Sequence, residues 1–136
     1  MMTDMKSTIQ VGDIAIHAFV VQSEMQPSFG RGVIHPVCST WDLAHHFELT
    51  ARKTLEPHLC KDEEGIGSHL SINHCGPAPL GKTVTVEAVI TEINETTVVC
   101  SITAKIGTHV CATGKQVQRV LPTSTISKLI ENATTQ

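Results

Sequence analysis

STWDLAHHFELTARKTLEPHL, residues 39–59, decides the architecture. Leu43, Phe47, Ala51, Leu55 and Leu59 recur every four residues, with Ala44 beside them, while Asp42, Arg52 and Lys53 fall off that line. Such spacing stacks the apolar side chains on one face of a helix. Ser39 or Thr40 can cap its start, and Asp42 in the first turn suits the positive end of the helix dipole. Pro57 cannot continue the hydrogen-bond ladder, so the helix is expected over about 40–57.

The sequence on both sides of this helix reads differently. Upstream, Ile14 to Val21 is rich in β-branched residues and reads as a strand. About 23–37 follows with Pro27, Gly30, Gly32 and Pro36 and no periodicity, a loop long enough to act as a lid. Downstream, Lys61-Asp-Glu-Glu-Gly65 reads as a solvated acidic turn, and about 67–121 reads as strands. Gly67 to Cys75 is the first of these. Thr83 to Ile93 and Thr97 to Ile106 form a hairpin turning at Asn94-Glu95, and Thr108 to Leu121 is the last strand. Ser124 to Glu131 is expected to form a short closing helix capped by Thr123 or Ser124.

Strands segregated after a single helix imply an α+β fold, an antiparallel sheet of five strands with the helix on one face. One helix cannot cover such a sheet. Either the other face is solvated or a second subunit completes the structure.

The 136-residue chain is 40% hydrophobic and 17% charged, which fits one packed domain over 1–136 and excludes wholesale disorder. Aromatic residues are only Trp41, Phe19, Phe29 and Phe47, too few for a base-stacking platform. Ten basic against 13 acidic residues, without a basic cluster, disfavour a phosphate-backbone binder. No apolar stretch reaches the roughly 20 residues of a membrane helix, and the first ten residues do not read as a secretory signal. Nucleic acid and membrane are thus not expected as partners, and the cytoplasm is the expected compartment. The five cysteines include no CxxC pair. They read as free thiols, with Cys75, Cys100 and Cys111 as small buried hydrophobes of strands.

Three polar residues stand where apolar neighbours are expected. Glu48 flanks the helix stripe, either as a rim residue or as a partly buried acid useful in proton transfer. His74 shares a strand face with Leu70 and Ile72, as a satisfied core residue or a catalyst beside a partner. Thr40 stands at the helix start, as a cap or as a hydroxyl for chemistry. Gly65-Ile-Gly67 is either a structural turn or a bare backbone N–H for an oxyanion. His45 and His46 are adjacent, face different directions and lack the HExxH spacing. There is no P-loop, GxGxxG or GxSxG.

His35-Pro-Val-Cys-Ser-Thr-Trp-Asp-Leu-Ala-His-His-Phe-Glu48, Glu64-Gly-Ile-Gly-Ser-His-Leu-Ser-Ile-Asn-His74 and Pro79-Leu-Gly-Lys-Thr-Val-Thr-Val86 together resemble the hotdog-fold thioesterases of the fluoroacetyl-CoA thioesterase type. The resemblance runs from about Ile14 to Pro122. It implies a hotdog fold, a long helix wrapped by a curved antiparallel sheet, dimerised through sheet edges. It also implies a catalytic set of Thr40, Glu48 and His74, with Gly67 touching substrate. The substrate-contacting lid phenylalanine of the fluoroacetyl enzyme corresponds to Ile34. An arginine of its last strand corresponds to Gln118, with Arg119 on the opposite face. The activity so implied is hydrolysis of a small acyl-CoA, without metal or redox cofactor. The alternatives are a non-catalytic acyl-CoA or acyl-carrier binding module, or a hydratase or dehydratase on the same fold. One tension is built in: eight residues of helix separate Thr40 from Glu48 by about 12 Å. Thr40 must leave the helix, or the two residues must serve different parts of the substrate, within one subunit or across a dimer interface.

Overall fold

The computed structural model describes residues 8–135. Strand β1 (Ile14–Val20) precedes helix α1 (Thr40–Leu55), and four strands follow: β2 (Glu63–His74), β3 (Thr83–Asn94), β4 (Thr97–Ile106) and β5 (His109–Pro122). Helix α2 (Thr123–Thr134) ends the described chain. The strands form one antiparallel sheet in the order β1-β3-β4-β5-β2. This is the hotdog arrangement, a five-stranded sheet around one long helix.

Periodicity explains the core. Leu43, Phe47, Ala51 and Leu55 of α1 are fully buried against the inward residues of β3 and β4, namely Val84, Val86, Ala88, Ile90, Val98, Cys100, Ile102 and Ala104. Leu59 packs partly against this cluster. The opposite face carries Thr85, Glu87, Ser101, Lys105, Thr113, Lys115 and Arg119, all exposed, so the polar alternation of the strands solvates it.

Several boundaries differ from expectation for local reasons. Helix α1 ends at Leu55, and Pro57 sits in a following single 3-10 turn, Glu56–His58. The acidic run is a solvated turn only at Lys61 and Asp62. It opens β2 at Glu63, four residues before the expected Gly67, with Glu63 buried and its Oε1 accepting from the Cys60 N–H at 2.9 Å. Glu64 is paired with Arg52 of α1. At the other end of the chain, neither Thr123 nor Ser124 caps α2 with its side chain, because the Thr123 hydroxyl donates to the Asp62 carbonyl instead. Cys100 and Cys111 are buried, but Cys75, just beyond β2, is exposed. The β3–β4 hairpin does turn after Asn94, with Glu95 in the left-handed region at φ 45°.

Candidate active site along helix α1 and strand β2

Local capping sets one end of the site. The Ser39 hydroxyl accepts from the Asp42 N–H at 3.2 Å, so Ser39 is the cap and Thr40 is the first helical residue. Its hydroxyl is thereby free to reach His74, with Thr40 Oγ1 2.9 Å from Nδ1. His74 arrives there because alternation along β2 turns Leu70, Ile72 and His74 inward and His69, Ser71 and Asn73 outward. The other ring nitrogen, Nε2, is buried without a hydrogen-bond partner among the described residues. Buried polar atoms of this kind are rare and call for a ligand, water or partner group.

Two helical turns further on, Glu48 lies against the backbone of β2. A Cβ built on Gly67 would stand 3.0 Å from Glu48 Oε1 and 3.2 Å from Gln116 Nε2. One built on Gly65 would stand 3.1 Å from Gln118 Oε1 and 3.6 Å from Arg52 Nη1. The two glycines therefore leave open a space that a carboxylate and two carboxamides approach. Gln116 and Gln118 alternate on the face of β5 that meets α1, 0% and 3% exposed. Among the described residues neither Nε2 has a hydrogen-bond partner, nor has Gln116 Oε1. Glu48 itself is solvent-exposed, the rim alternative of its two readings.

Both Thr40 and Glu48 belong to the regular helix, so the Thr40–His74 pair and the Glu48–Gly67 cluster stand about 12 Å apart along its axis. Within one protomer the chain brings Thr40 to His74 and Glu48 to Gly67 and Gln116. It does not join the two sets.

The lid departs from the sequence reading. Ile34 is exposed and does not line the cavity of about 330 Å³ beside Thr40 and His74. Phe29 and Trp41 do, with Phe29 set edge-on to Trp41 at 5.2 Å between ring centroids. An aromatic lid residue is thus present, five positions before the one singled out. Gln118 does lie beside the glycine window, and Arg119 points outward, as expected. Gln116 went unnoticed in the sequence. Its signal was an amide on the same strand parity as Gly114 and Val120.

The remaining titratable groups gather elsewhere. His46 is buried under Phe19, ring on ring at 3.6 Å, with Nε2 3.2 Å from Asp42 and Nδ1 3.2 Å from His17 Nε2. Lys53 closes the chain on His17 Nδ1 at 3.2 Å. Because Lys53 can only donate, His17 must accept at Nδ1, donate from Nε2 to His46, and His46 in turn donates to Asp42. Burial pushes both histidines below their ordinary value, helped at His17 by Lys53, whereas Asp42 partly opposes the shift at His46. Burial first, then Asp42, pushes the Cys38 thiol up to about 12, so it is no nucleophile near neutrality. Among the described residues no cluster of ligating side chains could hold a metal ion, and no helix is long and apolar enough to cross a membrane.

The fold matches a thioesterase superfamily member from Thermus thermophilus with a TM-score of 0.89 and 30% identity, over 94% of this chain and 95% of that one. A hot-dog-like protein from Thermanaerovibrio acidaminovorans matches with a TM-score of 0.85 and 21% identity, over 96% and 97% of the two chains. The fluoroacetyl-CoA thioesterase FlK matches with a TM-score of 0.82 and 20% identity, over 93% and 98%, and mutants of it have been solved with acetyl-CoA and with fluoroacetate and CoA. A search of curated proteins gives no significant match. The protein is a hotdog-fold thioester hydrolase, an acyl-CoA thioesterase in class. The profile of the fluoroacetyl-CoA-specific thioesterase family, FlK, matches residues 21–135, and the chain belongs to that family.

Proposed function

We propose that the chain hydrolyses a small acyl-CoA thioester to free acid and CoA, and does so as a cytoplasmic homodimer. The approach of Glu48 to the bare backbone of Gly67 carries this reading. In it, the Gly67 N–H polarises the thioester carbonyl, where negative charge develops in the transition state. Glu48 attacks the carbonyl carbon or deprotonates the attacking water, and His74 moves the proton. Thr40 fixes the His74 ring through Nδ1. It does not touch Glu48 from within its own subunit.

The separation of about 12 Å between the two sets favours a site shared by two subunits. Among the described residues strand β2 pairs only with β5, so its other edge offers a row of backbone groups for pairing. Antiparallel pairing of two β2 edges about Leu70 and Ser71, midway between Gly67 and His74, would set Gly67 of one subunit opposite the partner's His74. Two equivalent sites would result, as closed two-fold symmetry requires. The CoA ligands of the FlK structures support a CoA thioester as substrate class. Gln118, at the position of the fluoroacetyl enzyme's arginine, favours an ordinary short acyl group, whereas Ile34, at the position of its phenylalanine, stands outside the cavity that Phe29 lines.

Release of CoA from a panel of acyl-CoAs by the purified protein tests the reading. Turnover of short acyl-CoAs that Glu48→Ala brings to background is the expected result. Binding of acyl-CoA without turnover would instead make the chain a binding module.

A further inference from the structure

We infer that Gln116 anchors the water that hydrolyses the thioester, holding it against Glu48; this deepens the hydrolase reading above and rests on it. Gln116 lies in mid-strand on β5, paired with Leu70 on one side and Cys100 on the other. It is 0% exposed, and among the described residues neither its amide nitrogen nor its amide oxygen has a hydrogen-bond partner. Ala112, Gly114 and Val120 occupy the same side of the strand without polar side chains, and the other amide there, Gln118, likewise stands at the glycine window. Burying an unpaired amide costs stability, and folding of the subunit returns nothing for it.

The geometry points to what the amide is for. Glu48 Oε1 and Gln116 Nε2 both come within 3.2 Å of the place where a Gly67 Cβ would stand. The two groups converge on one small volume that only glycine leaves open. A carboxylate offers acceptors alone, whereas a carboxamide offers a donor and an acceptor side by side. Together they match a water molecule. One water proton goes to the Glu48 carboxylate while the Gln116 Nε2–H donates to the water oxygen and holds it, leaving the second oxygen lone pair to face the thioester carbon. A C–O bond forms, the C–S bond breaks, and the departing CoA sulfur takes up the proton that Glu48 received. Water and thioester become acid and thiol, with no further reactant needed.

Gln116→Met, close in shape and without polar atoms, tests this. We expect kcat to fall at least tenfold, KM to change less than threefold, and the melting temperature to hold or rise, because unpaired polar atoms leave the core. A structural amide would give the opposite pair of results, a lower melting temperature with kcat intact. Retention of kcat within twofold overturns the inference, as does a loss carried by KM, which would make Gln116 a contact to the acyl group. Should the methionine variant not fold, Gln116→Asn keeps the amide but withdraws it by one methylene, and the same loss of kcat is expected. A wild-type protein that turns over no thioester at all would refute the underlying hydrolase reading, and would be seen before any variant is made.

Discussion

The two ends of β2 are built on opposite plans. At His74 the Thr40 hydroxyl meets the imidazole Nδ1 within the subunit, while Nε2 stays unpartnered among the described residues, beside an aromatic-walled cavity. At Gly65 and Gly67 the strand is stripped of side chains, and a carboxylate and two carboxamides approach it with hydrogen-bonding capacity unused. In the proposed reaction the first end is a positioned proton carrier and the second an open polar cradle for reacting groups. The difference supports a site that the subunit folds in halves.

Breaking each half separately gives graded effects. Glu48→Gln removes the group proposed to attack the thioester or activate water and is expected to lower kcat about a thousandfold in a folded protein. His74→Ala is expected to cost about a hundredfold, and the double variant less than the product of the two, because residues that act as a unit are not additive. Thr40→Ala, which loosens His74 without removing it, is expected to cost about tenfold. His45→Ala, on an exposed neighbour, is the silent control. His46 cannot serve as one, since it is packed under Phe19 and bonded to Asp42. The acyl end is expected to discriminate weakly. Competition between acetyl-CoA and fluoroacetyl-CoA is expected to give a ratio below a hundredfold, or about 2.7 kcal/mol of differential transition-state binding.

The smallest effect sharpens the comparison from outside the site. His17 and His46 are held below their ordinary value by burial, so the folded state resists the protons that the unfolded chain accepts. Their contribution to stability is complete above about pH 6.5 and is lost as pH falls through the lowered folded values. Thermal melts from pH 8 to 5 are expected to show a flat region and then a decline. His17→Asn is expected to flatten part of that decline while leaving turnover near wild type.

Much of this was legible before the structure. The four-residue stripe from Leu43 to Leu55 and the β-branched runs of β3 and β4 bury the same residues that their periods select, because burial follows the period directly. His74 followed from strand parity in the same way. What escaped depends on contacts between distant segments. Glu63 and Glu64 look solvated until the Cys60 turn and Arg52 supply their partners. The lid has no period, so Phe29 could not be told from Ile34 as the wall of the cavity. Gln116 breaks an apolar parity, and only the burial of its unpaired amide gives that break a meaning. The distance between Thr40 and Glu48 was readable from helix rise alone.

Mixed dimers test the shared site most directly. Glu48→Gln and His74→Ala subunits, each nearly inactive alone, are to be co-expressed with different tags and the heterodimer isolated. If Glu48 of one subunit works with His74 of the partner subunit, one of the two sites in that heterodimer carries both groups intact. About half of the wild-type turnover per dimer is then expected to return. Activity no higher than that of the single variants, in a heterodimer shown by light scattering to have about twice the chain mass, would contradict the account.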